Sequence, residues 1–418
     1  MEVQFRRSTL SGKISAPASA AVSQRALLIA SLAYGQSVIS NLPDSQDVQA
    51  ALSACASSGA DIVTSNGVAD IFGGNFSLPP LLDCKESNST LKLFLGLCAC
   101  FPSPVEFTGT EKLTITPLGQ YAAYLQQIGA TVECETGFLP LKISSPAFEA
   151  RLQYFLQLGT AFLSGMLLAA PLLDSDTEIV MDGAFPSRQP IDDTIAIMKK
   201  SGIEFLSADE EFISIPGSQA YSPLPDFAVP GSAALSSFPL LAAALCGRVT
   251  LQGVPPYPAL ESLFRSFGAE ATCSDNNFYA GAGPLEGTEL QAHELGPLML
   301  HALVLGSAAR GETRINNMAA LNRRNSDRLR ILIRVLSRMG ARINESEHTL
   351  IISGGRLQGA EIDPESSAHV AMAASAAALA ADGPSTMRGA ECILGHYPSF
   401  FSDLASLGAI ARETQELR

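Results

Sequence analysis

The sequence is poor in positive charge. Its 27 Lys and Arg residues are outnumbered by 41 Asp and Glu residues, which gives a formal net charge of −14. Basic residues are concentrated only between Arg323 and Arg342, whereas nucleic-acid-binding proteins present a broader basic surface. We therefore expect no nucleic-acid partner. Small anions are not excluded, because screening limits the effect of distant charges to about 8–10 Å and a local basic pocket can still bind them.

Cysteine motifs are also missing. The eight cysteines lie in apolar segments, and only Cys98 and Cys100 are close together, without the two-residue gap that is typical of metal and redox motifs. We expect buried free thiols, no metal site and no cofactor.

Long apolar runs are absent as well. No segment reaches the ~18 apolar residues that cross a bilayer, and the N-terminal residues are not followed by the apolar core of a signal peptide. We therefore expect a cytoplasmic protein with no membrane partner, and we expect a monomer.

The sequence does contain an internal repeat. A helical stretch, a glycine and a hairpin-like segment recur along the 418 residues, with glycines separated by 66 to 73 residues. These glycines are Gly59, Gly129, Gly202, Gly268, Gly340 and Gly408. The spacing suits a small α/β unit, and a chain of this length usually forms more than one domain. We predict six units in two domains of three.

One copy of the repeat shows the pattern. From Asp327 to Met339, apolar residues recur at helical spacing with arginines between them, which predicts an amphipathic helix. Gly340 then suits the helix end, and Ala341 to Ile352 alternates as two strands.

A second class of helices is apolar on all sides and rich in small residues, which is typical of buried helices. They are predicted at Phe162–Leu173, Leu235–Cys246, Leu295–Ala309 and Ser366–Ala381. We expect them at the centre of each group of repeats.

Several segments contain short motifs in a fixed order. The first, Pro17 to Gly35, begins Pro-Ala-Ser-Ala-Ala-Val-Ser-Gln-Arg-Ala-Leu and continues as a small-residue helix that ends in glycine. The later segments are Asn41–Asp47, Asp83–Phe94, Thr108–Lys112 with Pro117, Ser187–Asp192, Asn325–Leu329 and Ser367–Met372. Together they resemble the motifs of the shikimate branch of the enolpyruvyl transferase family, over nearly the whole chain.

The resemblance implies a fold and a reaction. The fold is a two-domain inside-out α/β barrel of six βαβαββ repeats, three per domain. Residues 15–227 would form an inserted domain, and residues 1–14 with 228–418 would form the other. The reaction moves the enolpyruvyl group of phosphoenolpyruvate onto a hydroxyl of a shikimate-3-phosphate-like ligand, through a tetrahedral intermediate that loses phosphate.

The resemblance also implies site residues. The substrate-binding positions fall on Ser23, Arg25, Lys92, Lys112, Thr160, Ser187, Arg324 and Arg328. The catalytic positions fall on Glu294, Asn325 and His369, with Glu294 in the place of the general base. We expect Arg25, Lys92, Lys112, Glu294 and Arg328 to converge on the cleft between the domains.

The site departs from the family pattern at many positions. The family's lysines and arginines are replaced at Ala20, Thr116, His369 and Gly395, and arginine becomes lysine at Lys92 and Lys112. Lysine keeps the charge and loses the planar fork that binds carboxylates and phosphates. We therefore expect weak or absent standard activity. A non-catalytic relative is one alternative, and a different elimination reaction with Glu294 or His369 as base is another.

Each of these residues can also be interpreted as a structural residue with no functional role. Arg25 could be a surface arginine, although a helix start disfavours an unpaired cation, and Glu294 could only cap a helix. The pair Asp327–Arg328 is ordinary for the start of a helix. His369 could be a buried histidine whose hydrogen bonds are satisfied, and His396 could be an ordinary loop residue.

Overall fold

The structure is a computed structural model that describes residues 1–98, 101, 103–144, 150–183, 185, 187–318, 323–346 and 348–414. Among these residues no helix is both long and apolar enough to cross a membrane. The same residues contain no group of three or more His, Cys, Asp or Glu side chains that could hold a metal ion.

Strands and helices alternate along the whole chain. The strands are β1 (Glu2–Arg6), β2 (Leu10–Ser15), β3 (Gly35–Ser40), β4 (Asp61–Ser65), β5 (Val68–Gly73), β6 (Leu81–Asp83), β7 (Val105–Thr108), β8 (Thr131–Glu133), β9 (Leu141–Ser144), β10 (Arg151–Tyr154), β11 (Thr177–Met181), β12 (Ser207–Ala208), β13 (Phe212–Ile215), β14 (Phe227–Ala228), β15 (Gly247–Gln252), β16 (Glu270–Ser274), β17 (Asn277–Gly281), β18 (Glu289–Gln291), β19 (Glu312–Asn316), β20 (Arg342–Glu345), β21 (Thr349–Ser353), β22 (Glu361–Ile362), β23 (Ser385–Arg388) and β24 (Ile410–Glu413). The helices are α1 (Ala20–Leu32), α2 (Gln46–Ser57), α3 (Asn88–Cys98), α4 (Glu111–Thr114), α5 (Gly119–Gln127), α6 (Gly159–Ala169), α7 (Gln189–Lys200), α8 (Ala233–Cys246), α9 (Pro258–Ser266), α10 (Ala292–Leu295), α11 (Met299–Ala308), α12 (Arg323–Arg338), α13 (Ala368–Ala380) and α14 (Phe400–Ser406).

The strands of the described residues form six sheets of four strands each. Their orders are β14-β3-β5-β4, β6-β7-β9-β8, β10-β11-β13-β12, β16-β17-β15-β2, β18-β19-β21-β20 and β22-β23-β1-β24. In each sheet one edge strand pairs in parallel with its neighbour and the other pairings are antiparallel. The predicted fold class, six α/β repeats of this type, is confirmed.

One repeat illustrates how the sequence builds a sheet. Strands β6 and β7 are parallel and are joined through the buried helix α3. Helix α5 follows, and its chain reverses at Gly129, whose φ is 96°. The hairpin of β8 and β9 then completes the sheet. All six glycines of the predicted repeat have positive φ, between 85° and 98°, which glycine adopts without steric strain.

By its internal contacts the chain divides into two compact units. The first unit consists of Met1–Ala18 and Pro230–Arg418, and the second unit consists of Ser19–Val229. Each unit contains three of the six sheets.

The small-residue helices are buried within their units, as predicted. In the second unit α3 and α6 pack so closely that a Cβ on Gly96 would lie 2.2 Å from the carbonyl oxygen of Phe162. A Cβ on Gly165 would lie 2.0 Å from the carbonyl oxygen of Leu93. Glycine is therefore required at both positions. In the first unit α8, α11 and α13 pack against one another in the same way.

Two predictions need correction. The single helix predicted over Leu295–Ala309 is interrupted, because a 3₁₀ turn at Gly296–Leu298 separates α10 from α11. Proline at position 297 cannot donate the helical hydrogen bond, and Gly296 has a φ of 46°. The cysteines are also less uniformly buried than expected: Cys55, Cys84 and Cys98 are buried, whereas Cys134, Cys246, Cys273 and Cys392 are half-buried. Cys100 lies outside the described residues.

Candidate functional site

The first two turns of α1 carry two of the predicted ligand positions, Ser23 and Arg25. Ser19 caps the helix, and its hydroxyl accepts a hydrogen bond from the backbone N–H of Val22. Ser23 is fully buried, and its Oγ donates to the carbonyl oxygen of Ser19 at 2.9 Å. The helix is apolar apart from its serines, Gln24 and Arg25.

Arg25 is buried, with 3% of its surface exposed. Its Nε donates to Thr194 Oγ1 at 2.6 Å, its Nη2 donates to Ser164 Oγ at 2.9 Å, and its Nη1 donates to the carbonyl oxygen of Ala21 at 2.8 Å. Burial lowers the pKa of Arg25 to about 10, and the charge of Asp193 opposes this shift. The reading of Arg25 as a surface arginine is wrong, because its guanidinium joins α1 to α6 and α7.

Gln24 forms a second buried network that the sequence did not reveal. Its Nε2 lies 2.8 Å from Thr90 Oγ1 and 2.9 Å from Ser89 Oγ. Longer contacts of 3.3 and 3.4 Å reach the carbonyl oxygen of Asp47 and Ser87 Oγ. The Asp47 carboxylate accepts a hydrogen bond from Ser89 at 3.0 Å. The network joins α1 and α2 to the start of α3, the helix that carries Lys92.

The other predicted ligands of the second unit lie on neighbouring elements. Lys92 projects from α3, with its Nζ 5.3 Å from the ring centroid of Tyr121. Thr160 is the second residue of α6, and its carbonyl oxygen accepts a hydrogen bond from Ser164 Oγ at 2.8 Å. Ser187 lies two residues before α7 and is half-buried. Lys112 belongs to α4, and its side chain lies outside the described part of the chain.

One of these positions, Thr160, connects to Arg25 through Ser164. Ser164 links the guanidinium to the carbonyl oxygen of Thr160, and Ser164 Oγ also lies 2.9 Å from Thr194 Oγ1. The starts of α1, α6 and α7 are thereby held together by one cation and two hydroxyls. A buried guanidinium with N–H groups beyond its three bonds is suited to bind a carboxylate or a phosphate.

In the first unit, Glu294 is exposed. It lies on the four-residue helix α10 with 69% of its side chain accessible, and its Oε1 is 3.9 Å from Nε2 of His293. Arg328 is half-buried on α12. The side chains of Arg324 and Asn325 lie outside the described part of the chain.

His369 belongs to a row of rings. It lies in the first turn of α13, with its ring centroid 5.9 Å from that of Phe238 and 6.0 Å from that of His396. Phe238 also contacts His301, with 4.9 Å between the ring centroids. The reading of His369 as a satisfied buried histidine is wrong in one respect, because the residue is half-buried.

His301 is the buried histidine of this row. Only 2% of its surface is exposed, and in the described part of the chain its ring nitrogens make no hydrogen bond of good geometry, although the backbone of Ser237 is close enough to favour the protonated ring. Burial lowers its pKa to about 3, so the ring is neutral at physiological pH. An unsatisfied buried polar group is destabilising.

The predicted site residues therefore separate into two sets. The second unit offers a buried cation with surrounding hydroxyls, which suits anion binding. The first unit offers an exposed carboxylate and imidazole rings, which suit proton transfer. Sequence reasoning missed Gln24, Ser164, Thr194 and Asp193, and the available signal was the occurrence of single polar residues in otherwise apolar helical stretches.

Comparison with known proteins agrees with these features. The family model described as "EPSP synthase (3-phosphoshikimate 1-carboxyvinyltransferase)" matches residues 6–404. A 3-phosphoshikimate 1-carboxyvinyltransferase of Methanocella arvoryzae is 32% identical over 98% of this chain and 99% of its own. One of Methanocorpusculum labreanum is 30% identical over 99% of this chain and 100% of its own.

A solved structure shares the fold. The EPSP synthase from Acinetobacter baumannii matches with a TM-score of 0.82 at 22% identity, over 99% of this chain and 100% of the other.

Proposed function

Because this chain belongs to the EPSP synthase family, we propose that it transfers the carboxyvinyl group of phosphoenolpyruvate to 3-phosphoshikimate in the shikimate pathway. The observation that carries the proposal is the family match over residues 6–404, together with relatives of this name that align from end to end. The comparisons lend no support to the non-catalytic alternative.

The second unit would hold the ring of the acceptor. Arg25 is a buried cation at the start of a helix, and its N–H groups beyond those bonded to Thr194, Ser164 and Ala21 are available to an anionic ligand group. Helix N-termini also favour anions. Ser23 and Thr160 lie near the same helix starts and add hydroxyl groups, and Lys92 adds a point charge.

The first unit would supply proton transfer. The acceptor hydroxyl adds to C2 of phosphoenolpyruvate while C3 gains a proton, and the tetrahedral intermediate then loses phosphate and a proton from C3. Glu294 is exposed and can take a proton from the hydroxyl. His369, half-buried at the start of α13, is a second candidate for proton exchange.

The replaced basic residues set the expected rate. Two phosphates and two carboxylates must be held together, and lysine at positions 92 and 112 binds them without the bidentate geometry of arginine. Misplaced groups reduce the rate steeply. We expect turnover below the ~10 s⁻¹ that is common among enzymes.

The experiment is a phosphate-release assay with both substrates at millimolar concentration. We expect release that requires both substrates and that falls about 10²–10⁴-fold in Glu294→Gln, as for loss of a general base. Glu286→Gln is the matched control, because Glu286 is also exposed and lies eight residues earlier in the chain. No release above background from the folded wild-type protein would contradict the proposal and favour the non-catalytic alternative.

A further inference from the structure

Asp193 is a charged neighbour of Arg25 that is not among the predicted ligand-binding residues. Asp193 lies on α7 between the exposed Asp192 and the buried Thr194, whose hydroxyl accepts a hydrogen bond from Arg25. Asp193 is itself half-buried, and its Oδ1 accepts a hydrogen bond from Gln189 Nε2 at 2.8 Å. Helix α7 packs against both α1 and α6. Asp193 is therefore next in the chain to a residue whose hydroxyl lies 2.6 Å from the Arg25 Nε, on a helix that packs against both α1 and α6.

The two groups interact through charge. In the part of the chain that the structure describes, no hydrogen bond or ion pair joins Arg25 to Asp193, although each shifts the pKa of the other. The carboxylate thus opposes the field of Arg25 without occupying its N–H groups. An anion that reaches these N–H groups is attracted by Arg25 and repelled by Asp193.

We propose that Asp193 is a specificity-determining residue that partly neutralises Arg25 and weakens the binding of an anionic group there. The inference rests on the proposed function in one respect, that an anionic group of a shikimate-like ligand binds at Arg25; in shikimate itself that group is the carboxylate. With Asp193 ionised, the pair has little net charge, so the preference for a carboxylate over a neutral ester is small. With Asp193 neutral, the full charge of Arg25 is available.

The proposal also implies a pH dependence. Burial raises the pKa of Asp193, while the hydrogen bond from Gln189 and the charge of Arg25 oppose this shift and Asp192 adds to it. Arg25 is the one ionisable residue of α1, and α6 contains none. Arg188 pairs with Asp192 rather than with Asp193. An anionic ligand should therefore bind more tightly as the pH falls and Asp193 takes up a proton.

The test compares Asp193→Asn with Asp192→Asn. Both variants remove one negative charge from the same helix, but Asp192 is exposed and bonded to Arg188. The probes are shikimate, whose carboxylate is ionised above pH ~5, and its neutral methyl ester, with Kd measured by calorimetry from pH 5.5 to 8. We expect Asp193→Asn to bind shikimate about tenfold tighter at pH 7.5. It should bind the ester unchanged and lose the pH dependence, whereas Asp192→Asn should behave as wild type.

A second measurement covers the case in which Asp193→Asn does not fold. Calorimetry of wild-type protein with shikimate at pH 5.5, in two buffers of different ionisation enthalpy, should show proton uptake on binding. No uptake would overturn the proposal. Equal shikimate affinity in Asp193→Asn and wild type would overturn it too, as would no binding by either. Failure of the phosphate-release assay would instead count against the proposed function, because shikimate binding does not require turnover.

Discussion

Helices α1 and α8 begin alike and then diverge. One starts Pro-Ala-Ser-Ala-Ala-Val-Ser-Gln-Arg from Pro17, and the other starts Pro-Gly-Ser-Ala-Ala-Leu-Ser-Ser-Phe from Pro230. In both helices the serine at the third position caps the first turn through its hydroxyl. At the ninth position Arg25 in the second unit corresponds to Phe238 in the first.

That one difference changes the surroundings of each helix. Arg25 bonds to hydroxyls on α6 and α7, whereas Phe238 contacts the rings of His301 and His369. Around Arg25 the second unit satisfies buried hydroxyls with a long, charged donor. At the equivalent place the first unit uses ring contacts, and the hydroxyl of Ser236 has no hydrogen-bond partner in the described residues. The same repeat thus packs around a hydrogen-bonded cation in one unit and around aromatic and imidazole rings in the other.

Replacing Arg25 by phenylalanine makes α1 resemble α8 and should have the largest effect. The change removes three hydrogen bonds and leaves Asp193 without its countercharge. We expect a loss of about 3–5 kcal/mol in the free energy of unfolding, because three hydrogen bonds from a buried charged donor are lost together. Urea denaturation measures it. Arg151→Phe, at an exposed pair with Glu178, should cost under about 1 kcal/mol, and an equal loss in both variants would contradict the comparison.

His301 should make the first unit sensitive to acid. Burial lowers its pKa to about 3, below the ~6.5 of the unfolded chain. The neutral ring therefore stabilises the fold fully above pH ~6.5, and this contribution is lost as the pH falls toward 3. The loss should reach on the order of 3 kcal/mol by pH 4. Unfolding of His301→Phe, followed from pH 7 to 4, should lack this component, and an unchanged pH profile would show that the ring titrates normally.

Substitution of Gln24 tests how much the hydroxyl network of the second unit contributes to stability. Gln24→Leu removes the donor to Ser89 and Thr90, and we expect a loss of about 1–2 kcal/mol. Gln36→Leu is the control, because Gln36 is exposed and its amide bonds only to Asp70. Thermal melts of both variants would measure the difference. A similar shift in both would mean that the buried network contributes no more than a surface bond.

The smallest expected effect concerns Ser23 and Ser236, which occupy equivalent positions in α1 and α8. Ser23 donates to the carbonyl oxygen of Ser19, whereas the buried hydroxyl of Ser236 has no partner in the described residues. We expect Ser23→Ala to lower the free energy of unfolding by about 0.5–1.5 kcal/mol, and Ser236→Ala to leave it unchanged or raise it slightly. Parallel urea titrations would resolve the sign, and equal losses would contradict the assignment of Ser236 as unsatisfied.

The repeat and its helices could be predicted because their signals are local. A glycine with positive φ is needed where each outer helix ends, and Gly129 and Gly340 stand at such points. Buried helices reveal themselves by small apolar residues, as α13 does. The break at Gly296 and Pro297 also has a local signal, because a proline within an apolar pattern interrupts a helix.

The partners of single polar residues could not be predicted. Arg25 was identified by its motif, yet its contacts with Ser164 and Thr194 join residues 139 and 169 positions apart. Nothing local distinguishes Asp193, which acts on Arg25, from the exposed Asp192 beside it. Adjacent side chains on a helix point in different directions, and this difference matters only once α7 packs on α1 and α6.

The sequence by itself therefore determined the elements, the sixfold repeat and the family, because backbone conformation and apolar periodicity depend on residues that are near each other in the chain. Tertiary structure alone decided which charges are buried and what they meet. Arg25 is a buried cation whose charge interacts with that of Asp193. Burial keeps the His301 ring neutral. The physical reason is that desolvation and Coulomb interaction depend on distances across packed helices, and these distances exist only after the repeats assemble.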